Sequence, residues 1–170
     1  MKHIKNLVVF LNLIIFSNFI LADYQLRNLN VPYGFEISIL AKDLKSPRQI
    51  AETKNGHLIV GSKKGSEVIA LIKESSGGEY TEVVVANGLE NPAGVAFYDG
   101  DLYFAEMDTI WIIKDIDSWI GSGSKTLPKK SIYMNDLPSE TWHGLKYIDF
   151  GPDGNLYIPV GVPCNICLEP

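Results

Sequence analysis

Short apolar strands, each introduced by a glycine turn, recur along the chain. Three segments share one order, namely Asn-Gly or Asp-Gly, a polar residue and an apolar run: residues 55–61, 99–105 and 153–159. The glycine supplies the positive φ that a tight hairpin turn requires. Another apolar segment leads into each turn: residues 48–51, 94–97 and 146–150. The pattern therefore predicts one hairpin that is repeated three times.

Alternation of apolar and polar residues predicts further strands. Residues 35–40 and 82–86 alternate with the period of a half-buried strand. No window after the N-terminus has a sustained helical period. Residues 111–119 come nearest to one, but they run into a Gly-Ser segment, and we interpret them as a strand end followed by a polar connector. These patterns predict an all-β fold.

The length of the repeat identifies the class of all-β fold. A unit of roughly 40 to 50 residues with about four short strands is typical of a β-propeller blade. A β-sandwich is the alternative, but it does not explain the recurring turn and strand at this interval. Because propellers have about four to eight blades, two repeats and the start of a third cannot close a ring. We expect residues 23–170 to form a partial β-propeller of about two to three blades, the N-terminal part of a longer protein.

The first 22 residues have the layout of a secretory signal peptide. A basic start that contains Lys2 and Lys5 precedes the apolar residues 7–21, and Ala22 stands before Asp23. The alternative is an uncleaved membrane anchor, because the apolar run is close to the minimum length for a membrane span. We expect export to the periplasm or secretion, with no membrane contact after cleavage.

The cysteines agree with an exported protein. The chain has two, Cys164 and Cys167, separated by two residues. A zinc site would need two more ligands, and a c-type haem site would need a histidine in place of Leu168. A redox-active pair would be expected beside a βαβ pattern, which is absent from the sequence. A local disulfide is therefore expected.

The length indicates about one domain, and the composition adds little to this. The chain has 170 residues and a formal net charge of −5. Because the chain is mildly acidic, the charge gives no reason to expect nucleic acid or an anionic membrane surface as a partner.

Several motifs together resemble one protein family. The motifs are Trp-His-Gly at residues 142–144, Phe-Gly-Pro-Asp-Gly-Asn-Leu-Tyr at 150–157 and Gly-Val-Pro-Cys-Asn-Ile-Cys at 161–167. Residues 46–51, 61–65 and 89–97 fit as well. The chain resembles the sorbosone dehydrogenase branch of the soluble quinoprotein sugar dehydrogenases over residues 31–169, about the first half of a complete member. The resemblance implies a six-bladed β-propeller that uses pyrroloquinoline quinone and calcium. It also implies a sugar or sugar-derived aldehyde as substrate and a separate electron acceptor.

The resemblance implies that His143 is the general base. Oxidation of a sugar by a quinone needs a base that takes the hydroxyl proton while hydride leaves the carbon. Imidazole suits this role because its unperturbed pKa, about 6.5, leaves it largely neutral at neutral pH. The alternative is a histidine that only packs or forms hydrogen bonds within its loop.

Three other residues are candidates, each with an alternative, and two aspartates are not. Arg48 is a candidate cofactor ligand, because a guanidinium suits quinone carboxylates, or it forms a surface ion pair. Asn91 either binds substrate or shapes its Asn-Pro turn. Trp142 either forms a wall beside a sugar ring or packs in the core or at the rim. Asp115 and Asp117 are expected to be polar loop residues, because no loop with the ligand density of a calcium site surrounds them.

Departures from the family pattern leave the activity open. Trp142 stands where the glucose-oxidising branch has an Asp, and Leu89 stands near the position of a substrate-contacting Gln. The family's quinone-clamping residues and calcium ligands lie in later blades, so no metal site is assigned here and the chain alone is expected to be inactive. The alternatives are a calcium-dependent lactonase and a non-catalytic propeller that binds a partner.

Overall fold

The computed structural model describes residues 26–73 and 80–166. The chain divides into two units, Met1–Ser38 and Ile39–Pro170. The described part of the first unit contains a single-turn 3₁₀ helix, Leu26–Asn28. The proposed signal peptide and Cys167 lie outside the described residues. None of the helices in the described part of the chain has the length and apolarity that a membrane crossing requires.

The second unit contains two four-stranded antiparallel sheets and one short hairpin. Blade 1 consists of β1 (Pro47–Glu52), β2 (Leu58–Ser62), β3 (Val68–Lys73) and β4 (Tyr80–Ala86), hydrogen-bonded in that order. Blade 2 consists of β5 (Gly94–Tyr98), β6 (Asp101–Ala105), β7 (Ile110–Ile113) and β8 (Lys130–Met134), and the helix α1 (Ile116–Gly121) lies between β7 and β8 in the chain. The third hairpin pairs β9 (Asp149–Phe150) with β10 (Leu156–Tyr157).

The two blades pack face to face. Ile59 and Ala70 of blade 1 belong to the same buried cluster as Val95 and Phe104 of blade 2. Burial of a side chain as large as Phe104 contributes about 1.5–3 kcal/mol relative to its exposure. This packing of successive four-stranded sheets is the arrangement of propeller blades, and the sheets do not close into a ring.

The opposite face of blade 2 packs against the third hairpin. Tyr103 and Ile112 form a second buried cluster with Ile148, and Phe150 and Leu156 pack against it. The three repeats found in the sequence therefore stack in chain order. The prediction of a partial β-propeller is confirmed.

The hairpin turns form as the sequence predicts. Gly56, Gly100 and Gly154 have φ angles of 80°, 89° and 76°. Residues other than glycine rarely adopt this left-handed backbone conformation. The backbone of each turn therefore requires the recurring glycine.

Two expectations from the hydrophobic pattern are wrong. Residues 35–40 form no strand, and Phe35 is 69% exposed. Within the described residues, this segment is hydrogen-bonded to no neighbouring strand. The polar connector expected from residues 111–119 and the Gly-Ser segment after them contains α1. Ile116 and Ile120, four residues apart on that helix, are both buried in the cluster between the blades. Six residues are too few to give a periodic signal in the sequence.

Candidate functional site

The innermost segments of the three repeats meet at the side chain of Gln49. The Nε2 of Gln49 donates a hydrogen bond to the carbonyl oxygen of Ile148 at 2.7 Å. Its Oε1 accepts from the backbone N–H of Ile148 at 3.2 Å and from that of Val95 at 3.3 Å. Gln49 lies on β1, Val95 on β5, and Ile148 just before β9. One amide therefore ties together the segments that lead into the three hairpins.

A left-handed residue precedes each of these innermost segments. Ser46, Asn91 and His143 have φ angles of 48°, 50° and 54°. Left-handed residues other than glycine are uncommon, although Asn and His adopt this conformation more readily than most. His143, Asn91 and Ser46 thus share a left-handed backbone a few residues ahead of an innermost segment, although their distances from it along the chain differ.

The hydrogen bond of His143 determines which ring nitrogen can act as a base. The side chain is exposed, and its Nδ1 lies 3.0 Å from the carbonyl oxygen of Val162. A carbonyl oxygen only accepts hydrogen bonds, so Nδ1 carries the hydrogen. In the neutral ring the lone pair is then on Nε2. The loop consequently presents a nitrogen that can accept a proton.

The loop around His143 is closely packed on its backbone side. A Cβ atom at Gly161 would overlap the carbonyl oxygen and the Cβ of His143, so only glycine fits there. The ring of Trp142 lies 5.1 Å from the imidazole, centroid to centroid, at an angle of 52°. Trp142 is 57% exposed and lines a cleft of about 220 Å³ with Pro138 and Val160. It therefore lies at the rim of this cleft and outside the core.

Arg48 and Asn91 lie near the same ends of the innermost segments. Arg48 is exposed on β1, and no ion pair reaches it within residues 26–73 and 80–166. Asn91 is half-buried, and its carbonyl oxygen accepts a hydrogen bond from the N–H of Ala93 at 2.7 Å. No hydrogen bond in the described part of the chain joins Arg48, Asn91 and His143 to one another. Their roles toward cofactor and substrate stay predictions.

Two aspartates at α1 contribute to the fold. Asp117 accepts a hydrogen bond at 2.6 Å from the hydroxyl of Thr53, a buried residue after β1. This bond joins the hairpin turn of blade 1 to the helix of blade 2. Asp115 has a left-handed φ of 49° directly before α1. A third polar residue, His57, accepts a hydrogen bond at its Nδ1 from the N–H of Lys73 at 3.1 Å, which also supports the fold of blade 1.

The hairpin turn between β9 and β10, which follows His143 in the sequence, has a structural role. Asp153 accepts hydrogen bonds from the backbone and side-chain amides of Asn155 and from the hydroxyl of Tyr157, at 2.7–3.1 Å. These bonds, first that from the Asn155 side chain, lower the pKa of Asp153 from its ordinary value. The carboxylate is occupied in fixing the third hairpin.

The described residues contain no candidate site for calcium. No group of three or more His, Cys, Asp or Glu side chains in this part of the chain is arranged to hold a metal ion. For the quinone, Arg48 is the one cation assigned to it, and it is exposed on a single strand. Cys164 lies within the described residues and Cys167 outside them, so the disulfide stays a prediction.

Sequence reasoning missed two polar residues that organise this region, Gln49 and Lys146. Gln49 stands within an apolar strand segment that looks like any half-exposed strand. Lys146 is almost fully buried, although lysine is rarely found inside a protein. The partners of both are mainly backbone groups, which leave no mark on the sequence.

Comparison with known proteins supports the fold. No family model matches the sequence. The chain is 26% identical over 166 residues to an uncharacterized protein of Borreliella burgdorferi, an alignment that covers 89% of this chain and 40% of that protein. Among solved structures, it is similar to the PQQ domain of pyranose dehydrogenase from Coprinopsis cinerea, in its holo form. That match has a TM-score of 0.68 and 18% identity, and covers 82% of this chain and 33% of the other. The chain thus spans less than half the length of either protein and shares the fold of the PQQ domain.

Proposed function

We propose that the protein containing this chain is an exported quinoprotein dehydrogenase that oxidises a sugar or a sugar-derived aldehyde of the sorbosone or aldose type. One observation carries the proposal. His143 stands in a loop that leads into the innermost segment of its repeat, and the Val162 carbonyl holds its Nδ1–H. The Nε2 lone pair is thereby available on an exposed ring. The likeness of the fold to a PQQ domain supports the same reaction class.

The role of His143 is to take the proton of a substrate hydroxyl. A neutral imidazole is a suitable acceptor near neutral pH, and its fixed tautomer means that no ring rotation is needed before proton transfer. Trp142, beside the imidazole, gives an apolar wall for a sugar ring. Asn91 is assigned to a substrate hydroxyl, and the guanidinium of Arg48 is assigned to a quinone carboxylate.

The test uses the full-length protein that contains this chain. The purified protein is loaded with pyrroloquinoline quinone and calcium, and reduction of an artificial electron acceptor is followed with aldoses and sorbosone. We expect turnover of at least one of these substrates that depends on the quinone. A folded, quinone-loaded protein with no turnover over a broad panel of sugars and aldehydes would contradict the proposal. Metal-dependent hydrolysis of a lactone without quinone would instead favour the lactonase.

The 170-residue chain serves as a second test. Since the family resemblance assigns the quinone-clamping residues and the calcium ligands to later blades, and the described residues hold no candidate metal site, we expect no quinone-dependent turnover from it under the same conditions. A measurable rate from this chain alone would show that the assignment of the cofactor residues to other parts of the protein is wrong.

A further inference from the structure

Lys146 is buried although it carries a charged group. It is 1% exposed, and it is the only charged side chain that is buried in the described part of the chain. Removing an ammonium group from water costs several kcal/mol unless hydrogen bonds replace the lost water. The surroundings of this nitrogen therefore indicate what the side chain does.

The ammonium nitrogen joins the two ends of the His143 loop. Its Nζ donates a hydrogen bond to the carbonyl oxygen of Pro138 at 3.0 Å and another to that of Gly144 at 2.7 Å. Residues 138–144 contain Trp142 and His143. One atom thus holds both ends of the loop, and hydrogen bonds from a charged donor are stronger than those from a neutral one.

The backbone of this loop needs such support. His143 has a φ of 54°, a left-handed conformation that costs a residue with a Cβ about 1 kcal/mol. A Cβ at Gly144 would overlap the carbonyl oxygen of Glu140, so the loop doubles back on itself within four residues. The Gly144 carbonyl that follows His143 directly is one of the two that Lys146 binds.

The electrostatics agree with a lysine that is held in place by local contacts. Burial lowers the pKa of Lys146 from its ordinary value, and the carboxylates of Glu140 and Asp108 oppose this effect. The hydrogen bonds of its Nζ to the two loop carbonyls fix the direction of the side chain, and Lys146 lines the cleft that Trp142 borders.

We infer that Lys146 is a positioning residue, which fixes residues 138–144 so that His143 keeps its left-handed conformation and its Nδ1 bond to Val162. The catalytic consequence of this role rests on the proposed function, but the structural consequence does not. The inference can therefore be tested without any assay of activity.

The test compares Lys146→Met with Lys114→Met in the full-length protein. Methionine keeps most of the length and apolar stem of lysine and removes the donor. Lys114 is an exposed lysine paired with Asp101, so it is a matched control. Hydrogen–deuterium exchange is measured for peptides covering residues 138–146 and for peptides covering β5 to β7.

We expect Lys146→Met to speed exchange in residues 138–146 by about tenfold or more, with β5 to β7 changing much less. Lys114→Met should change neither region. If Lys146→Met does not fold, Lys146→Gln is compared in its place, because its neutral amide is one bond shorter than the lysine side chain and should not hold both loop carbonyls; the same faster exchange in residues 138–146 is expected. Unchanged exchange in the loop, or an equal increase in the loop and the strands, would overturn the inference.

Activity supplies a separate readout where the wild-type protein turns over a sugar. Misplacement of a catalytic group by about 1 Å can lower kcat by about 100-fold. We expect Lys146→Met to lower kcat by about 10- to 100-fold with a smaller change in KM, and Lys146→Arg to restore part of the rate. A KM effect with unchanged kcat would count against positioning of His143. If the wild-type protein is inactive on every substrate, the proposed function fails, and the exchange data alone decide the role of Lys146.

Discussion

Substitution of Gln49 by methionine tests how the innermost segments are held together. Methionine has a similar length but neither donates nor accepts a strong hydrogen bond. Gln49→Met therefore leaves three backbone groups without their partner, namely the N–H of Val95 and both the N–H and C=O of Ile148. Val95 is 0% exposed and Ile148 is 1% exposed, so water reaches these residues poorly.

The expected loss of stability follows from these three groups. A buried backbone group left without a partner costs about 1–3 kcal/mol. Gln49 itself is half-exposed, and water can enter along its side chain. We therefore take the lower part of this range for each group and expect Gln49→Met to lower the free energy of unfolding by about 2–4 kcal/mol.

Equilibrium unfolding in urea measures this loss in the full-length protein, with far-UV circular dichroism and tryptophan fluorescence as probes. The control is Arg48→Met, which introduces the same side chain at the exposed neighbouring position on β1. We expect the control to stay within about 0.5 kcal/mol of the wild type. A free energy of unfolding for Gln49→Met that equals that of the control would refute the role assigned to the Gln49 amide.

Two more predictions concern the close packing of the repeats and the N-terminus. A Cβ at Gly94 would overlap the carbonyl oxygen of Lys146, so Gly94→Ala should cost about 1–3 kcal/mol in urea unfolding. Gly121→Ala, whose Cβ meets nothing within 4 Å, should be neutral or slightly stabilising, and equal effects of the two would contradict the packing argument. For the proposed signal peptide, we predict that N-terminal sequencing of the protein isolated from the cells that produce it starts at Asp23; a retained N-terminus in the membrane fraction would show that the anchor alternative is correct.

The local parts of the fold were the ones that the sequence could predict. An Asp-Gly or Asn-Gly pair requires the same backbone wherever it occurs, so Gly56, Gly100 and Gly154 fixed the positions of the hairpins. Residues 35–40 have an equally good alternating pattern but form no strand. An alternating pattern describes one strand, whereas the ladder depends on a neighbouring strand that is far away in sequence.

The candidate site, too, was predictable only where its features depend on local sequence. A motif pointed to His143, but no local pattern could predict that the Val162 carbonyl would bind its Nδ1 and so leave the lone pair of the neutral ring on Nε2. The same holds for Gln49, whose side chain binds the carbonyl of a residue 99 positions later. A polar residue whose partners are distant backbone groups looks, in the sequence, like a residue exposed to water.

The substitution His143→Asn in the full-length protein tests the central claim most directly. Asparagine adopts the left-handed conformation readily, so the backbone at φ 54° is retained. Its side-chain amide can still donate a hydrogen bond to the Val162 carbonyl, so the main loss is the basic nitrogen. His57→Asn is the matched control, because it makes the same change at a histidine in the first hairpin turn.

The measurement is the quinone-dependent kcat of the two variants with the best sugar or aldehyde substrate. A base that transfers a proton in the transition state contributes about 10²–10⁴-fold, so His143→Asn should lower kcat by a factor in this range. His57→Asn should keep kcat within about twofold of the wild type. Wild-type turnover by a folded His143→Asn protein would contradict the assignment of His143 as the general base.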